Sequence, residues 1–148
     1  MKDARDHVII AGFGVAGRFI AECLRERGVP YVVVEKNPDT CTVQRAAGIS
    51  IFQGDISEEA VLRRAGIATA SVLALAIPDD QAALRATAEA RRLRPGIHII
   101  AATRYTSTGL QALQKGADDV IVAEQAVAVE FYRRISAFLS THPENKNP

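Results

Sequence analysis

Gly12, Gly14 and Gly17 form a Gly-x-Gly-x-x-Gly string, and Glu35 stands eighteen positions beyond the last of them. Residues of these types at this spacing can hold a nucleotide. The first glycine permits a tight turn out of a strand, and the second lets backbone approach a phosphate. The third lets the following helix cross close to the sheet. Phe13, Val15 and Ala16 fill the turn between them. The amino end of that helix presents N–H groups and a positive dipole, which attract phosphate. Glu35 can then accept hydrogen bonds from ribose hydroxyls. An acid there favours a free 2′-hydroxyl, so NAD or an adenosine nucleotide fits better than NADP. Lys36 beside it blunts that preference.

Ligands in open parallel sheets sit outside the carboxyl ends of the strands, where strand order reverses. The residues that end the other strands are therefore candidates as well. Gly54, Asp55 and Ile56 can flank an adenine ring, although Asp55 could equally cap the next helix. Ile77-Pro78 faces the glycine turn across the reversal and can wall a phosphate or ribose, or simply shape the loop. Arg104 is placed for a phosphate, with an exposed, ligand-free arginine as the alternative. Arg18 is expected to point to solvent.

Groups for catalysis are not assembled by the sequence. His7, His98 and His142 fall at the start of a strand, inside a strand and in the tail. None has a serine or cysteine nucleophile and a supporting acid beside it. Tyr105 is followed four positions later by Gly109, so no Tyr-x-x-x-Lys pair arises. Neither metal-ligand spacing nor room for a separate substrate domain is evident. The expectation is a binding domain, with a small NAD-dependent oxidoreductase or redox sensor as the alternative.

The 148 residues suffice for one α/β domain, and 48% are hydrophobic. A formal net charge of +1 gives no basic field for nucleic acid. No apolar run approaches the ~18 residues of a membrane span, and no signal peptide is expected. A cytoplasmic setting follows, with Cys23 and Cys41 as reduced thiols in helices.

Strand and helix signals alternate along the chain. Strands are expected at 7–11, 31–35, 50–53, 71–77, 97–103 and 119–122. Helices are expected at 15–27, 39–47, 58–65, 79–93, 107–115 and 124–139. In the first helix Phe19, Ile20, Cys23 and Leu24 are expected to share one apolar face, and Ser57 to cap the third. Six strands with right-handed crossovers imply a Rossmann-like, doubly wound parallel sheet of order 3-2-1-4-5-6 in three αβα layers. The domain is placed at 1–140 and a polar, frayed tail at 141–148.

These residues resemble a known family. Gly12-Phe13-Gly14-Val15-Ala16-Gly17, Val34-Glu35-Lys36-Asn37 and Gly54-Asp55 are similar to the regulator-of-potassium-conductance (RCK, or TrkA-N) domains. Leu62-x-x-Ala65-Gly66-Ile67, Ala76-Ile77-Pro78-Asp79, Ile99-Ile100-Ala101 and Gly116-Ala117-Asp118-x-Val120-Ile121 continue the resemblance over about 7–135. Ile77-Pro78 and Glu124 look most like the domains of Kef-type antiporters. The resemblance implies a regulatory domain rather than an enzyme. Such domains bind NAD(H), AMP, ADP or ATP, dimerise, and control a potassium channel or antiporter membrane subunit from the cytoplasmic side. Many members carry a basic residue within the glycine turn, where this chain has Val15 and Ala16, which favours AMP or NAD(H) over a triphosphate.

The last helix carries Val127, Phe131, Ile135 and Phe138 at spacings of four, four and three. That stripe must bury against its own sheet or against a second copy. The alanine-rich helix at 79–93 offers another flat surface for close approach. Glu35→Ala is expected to weaken nucleotide binding and leave the thermal melt nearly unchanged.

Overall fold

The computed structural model describes residues 6–146. Its strands are β1 (Val8–Ala11), β2 (Tyr31–Glu35), β3 (Ile51–Gln53), β4 (Val72–Leu75), β5 (His98–Thr103) and β6 (Asp119–Val122). The helices between and after them are α1 (Val15–Glu26), α2 (Pro38–Ala46), α3 (Glu59–Arg64), α4 (Asp80–Leu93), α5 (Thr106–Lys115) and α6 (Ala123–Thr141). The strands form one parallel sheet in the order β3-β2-β1-β4-β5-β6, as the alternation of signals implies.

β1 is central and buried on both faces, which is why it reads Val-Ile-Ile-Ala without a polar residue. Its side chains alternate between two cores. Ile9 and Ala11 join Leu73, Leu75, Ile99 and the buried faces of α3, α4 and α5. Val8 and Ile10 join Val33, Ile51, Ala21 of α1 and Cys41 of α2. Helix ends are set locally. Asn37 accepts from the Asp39 and Thr40 N–H groups with Pro38 in the first turn of α2, and the Asp79 carboxylate accepts from the Ala82 N–H of α4.

Several expectations are corrected. Ser57 does not cap α3; its hydroxyl and N–H both donate to Asp55 Oδ1, at 2.6 and 2.9 Å, and Glu58 holds the cap position. Phe19 is 71% exposed, because α1 meets the sheet through Gly17 and Ala21. Arg18 is exposed yet folds back, its Nε donating to the Phe13 carbonyl at 3.3 Å and its guanidinium lying over the Phe13 ring. The alanine face of α4 is no free surface: Ala82, Ala83, Ala86 and Ala90 are buried within the domain. β4 ends at Leu75, so Ile77 belongs to the loop, and His98 opens β5. α6 reaches Thr141 and a 3-10 turn covers Pro143–Lys146; Asn147 and Pro148 lie outside the described residues, as do residues 1–5.

Arg91 fastens the far end of the sheet, donating to the Gly116 and Ile97 carbonyls and to Asp118 Oδ2 at 2.6 Å. The Ile99 N–H and then Arg91 hold the Asp118 carboxyl below its usual pKa. A carboxylate whose pKa is lowered by folding stabilises the fold above its unfolded pKa and loses that contribution as pH falls through the folded one. Melting temperature should therefore drop as pH is lowered from about 4, and Asp118→Asn should drop less steeply over the same window. Thermal melts across that range check this, and equal slopes would remove Asp118 from the account.

Candidate functional site

The glycine turn is built by close approach. A Cβ at Gly12, whose φ is +96°, would lie 2.3 Å from the Ala76 carbonyl oxygen. One at Gly17 would lie 2.0 Å from the Gly12 oxygen. The turn is thus wedged between the end of β4 and the first turn of α1, and a cleft opens above it. Gly12, Phe13, Gly14, Val15 and Ala16 form one wall of this cleft of about 620 Å³. Glu35 and Lys36 at the end of β2, with Gly54, Asp55 and Ile56 after β3, form the side toward β3. Ile77 and Pro78, with Ala76 and Asp79, close the opposite side.

Two of the anticipated residues lie outside that lining. Gly17 sits behind the turn, where its missing side chain lets α1 close on Gly12. Arg104 is exposed in a neighbouring groove of about 440 Å³, separated from the cleft by Pro78 and Asp79, which line both.

The electrostatics of the helix ends distinguish α1. At the carboxyl edge of the sheet, α2 is capped by Asn37 and α4 by Asp79, while Glu124 of α6 accepts from Thr106 at the start of α5. α1 begins at Gly14 with no side-chain cap and no acid in its first turn. Gly14, Val15 and Ala16 of that first turn line the cleft, so an anion bound there would meet the amino end of the helix.

Glu35 does more than face the cleft. The Phe13 N–H donates to its Oε2 at 2.7 Å and the Asn37 N–H to its Oε1 at 3.2 Å, so the acid also holds the glycine turn in place. Two carboxylate oxygens have about four acceptor sites, which leaves room for a diol. The expectation that Glu35→Ala would barely change the melt is revised accordingly. It would strand the N–H of a nearly buried Phe13, at a cost of about 1–3 kcal/mol.

Asp55 combines both of its anticipated roles only in part. It orders the loop before α3 through Ser57, without capping the helix, and lies 3.9 Å from Lys36 Nζ across the mouth of the cleft. The Ser57 bonds and then Lys36 lower its pKa, so it is anionic where it meets the cleft. Sequence reasoning passed over Asp79 as a lining residue. Its signal was a Pro-Asp-Asp string at a helix start, which marks a cap.

Among the described residues no group of His, Cys, Asp and Glu could hold a metal ion, and no helix is long and apolar enough to cross a membrane. Cys23 and Cys41 are free thiols.

The sequence as a whole points the same way as the cleft. A model of the TrkA-N domain matches residues 8–123. The "Glutathione-regulated potassium-efflux system protein KefC" of Cronobacter sakazakii is 36% identical over 116 residues, 78% of this chain and 19% of that protein. The chain thus spans about a fifth of that relative's length. Among solved structures, the TrkA-N domain of the Escherichia coli inner membrane protein ybaL superposes with a TM-score of 0.84 at 27% identity, covering 88% of this chain and 97% of that one. The fold is also that of the Shewanella denitrificans Kef CTD in AMP-bound form (TM-score 0.78, 24% identity, 90% and 81% of the two chains). It is shared again with a GsuK channel bound to NAD (TM-score 0.74, 24% identity, 82% and 22%).

Proposed function

Since the chain belongs to the TrkA-N domain family, we propose that it is a nucleotide-binding regulatory domain that controls potassium transport. AMP or NAD(H) occupies the cleft, with phosphate on the amino end of α1 and a ribose on Glu35. Binding changes the arrangement of two copies, and that change biases an antiporter or channel subunit from the cytoplasmic face of the membrane. The observation that carries this reading is the uncapped start of α1 above the glycine turn, within hydrogen-bonded reach of an acid at the end of β2. The relatives in Kef systems and the neighbours that carry AMP and NAD support the ligand class and the transport setting.

The pairing of copies is supported by α6. None of its residues is buried, and Phe131 and Tyr132 are 64% and 75% exposed. Its stripe does not pack on its own sheet, which supports the second copy among the two partners weighed from the sequence.

Isothermal calorimetry with AMP, ADP, ATP, NAD and NADH tests the cleft. AMP or NAD should bind saturably at one site per chain. Glu35→Ala should weaken that binding at least about tenfold, since bonds to a charged acceptor contribute about 1.5–3 kcal/mol. A parent chain that binds none of the five ends the reading. NADH oxidation with candidate acceptors would favour the oxidoreductase alternative instead.

A further inference from the structure

The rim of the cleft continues into a line of side-chain hydrogen bonds that ends at the root of α6. Asp79 lines the cleft, and the next residue, Asp80, opens α4. The Asp80 carboxylate accepts the Arg104 N–H at 3.0 and 3.1 Å and the Thr108 hydroxyl at 2.5 Å. Those two donors bracket the start of α5. Between them, the Thr106 N–H and hydroxyl donate to Glu124 Oε1 at 2.8 and 2.7 Å, and Gln125 Nε2 donates to the Thr106 hydroxyl at 3.0 Å. The Glu124 N–H reaches back to the Arg104 carbonyl at 3.3 Å. Each acid is held by two or more donors, so these are charge-assisted bonds with fixed geometry.

What lies beyond Glu124 makes this line consequential. α6 has 19 residues and none is buried, so among the described residues its firmest hold on the body of the domain is at its start. A helix of that length runs about 28 Å, and a tilt of about 10° at its root moves the far end about 5 Å. Hydrogen bonds at Glu124 and Gln125, together with the peptide link to β6, therefore set where the apolar stripe points.

We infer that Asp80, Thr108, Thr106 and Glu124 form a relay that couples the nucleotide cleft to the direction of α6, with Glu124 as the positioning residue at its output. This rests on the nucleotide reading of the cleft and deepens it. A ligand seated against Ile77-Pro78 that prefers one setting of the loop before α4 shifts Asp80, the start of α5 and then Glu124. A ligand indifferent to that setting transmits nothing.

Hydrogen–deuterium exchange on the full chain tests the relay, using AMP and NAD as probes and following the peptide that covers 122–131. In the parent, saturating nucleotide should change exchange there. In Glu124→Ala that response should fall at least about fivefold, while affinity measured by calorimetry stays within about threefold of the parent. Thr108→Val, which removes the hydroxyl on Asp80 and keeps the shape, should reduce the response in the same direction. Glu124→Gln keeps an acceptor oxygen for Thr106 and should restore part of it, which a loss of general stability would not explain. If the parent binds nucleotide yet 122–131 exchanges alike with and without it, or if Glu124→Ala responds as the parent does, the relay is overturned and the cleft stands. If the parent binds neither probe, the nucleotide reading fails and the relay fails with it.

Discussion

Gly12→Ala and Gly17→Ala are expected to lose the fold, whereas Gly14→Ala is expected to keep the fold and lose the ligand. The three glycines share one motif but meet different surroundings. At Gly12 a Cβ would sit 2.3 Å from the Ala76 oxygen and 3.0 Å from its carbon, on backbone with φ +96°. At Gly17 it would sit 2.0 Å from the Gly12 oxygen and 2.8 Å from its carbon. Both obstacles are backbone of the central sheet or the turn leaving it, and neither can rotate away. Relief requires α1 or the end of β4 to move. Overpacking and left-handed strain of this kind cost about 3–5 kcal/mol, a large share of the ~5–15 kcal/mol that holds a domain together. Gly14 is different. It has φ −79°, which any residue adopts, and a Cβ would meet no atom within 4 Å. Gly14 nevertheless lines the cleft at the amino end of α1. A methyl there takes space that a phosphate would use to reach the N–H groups. Circular dichroism melts should show a cooperative transition near the parent's for Gly14→Ala alone. Calorimetry should show its AMP affinity lowered by at least about tenfold. Parent-like AMP binding by Gly14→Ala would mean that phosphate does not sit on this turn.

The architecture was legible because its signals are local and repeated. Short, largely apolar runs alternating with helical stretches gave the six strands, and right-handed crossovers between them fitted the observed order. The site was legible where backbone geometry demands a residue type, as at Gly12, and where an acid closes a strand, as at Glu35. The failures also have physical causes. On α1 the buried face centres on Gly17 and Ala21, and at 100° per residue Phe19 lies about 200° from Gly17. Ile20 and Leu24 of the expected face do pack against the core, whereas Phe19 falls away from the close crossing that Gly17 and Ala21 make. Ser57 was taken by Asp55 two positions earlier, a side-chain competition that a capping pattern does not register. Arg104 follows the alternation of β5: Thr103 points inward and Arg104 outward, while its N–H is claimed by Asp80, twenty-four residues away in sequence. Bonds over that separation leave no trace in a window of neighbouring residues, which is also why the Thr106–Glu124 contact was not foreseen.

Phe131→Glu combined with Ile135→Glu is expected to weaken the proposed dimer at least about a hundredfold and leave the domain's own melt nearly unchanged. The two residues are one helical turn apart on α6, and both are more than half exposed in the single chain. Val127 and Phe138 extend the same stripe, giving a helix whose apolar side stays exposed among the described residues. Its near backbone neighbours are β6, which it continues, and the Pro143–Lys146 turn. A receiving surface exists on the domain. Leu110 and Leu113 of α5 and Ile121 of the edge strand β6 are also exposed and apolar. In a two-fold arrangement α6 of one copy can lie on that surface of the other, and the reverse contact follows by symmetry. Burying a Phe or Ile side chain stabilises by about 1.5–3 kcal/mol, and a carboxylate forced into the same contact adds a desolvation penalty. Because the contact is made twice in a symmetric pair, two substitutions per chain count four times. The domain's melt is spared because α6 buries none of its residues inside the body. Sedimentation velocity over a range of concentrations separates the outcomes. A doubly substituted chain that associates as the parent does would place the interface elsewhere. A parent that stays monomeric throughout would remove the dimer from the mechanism.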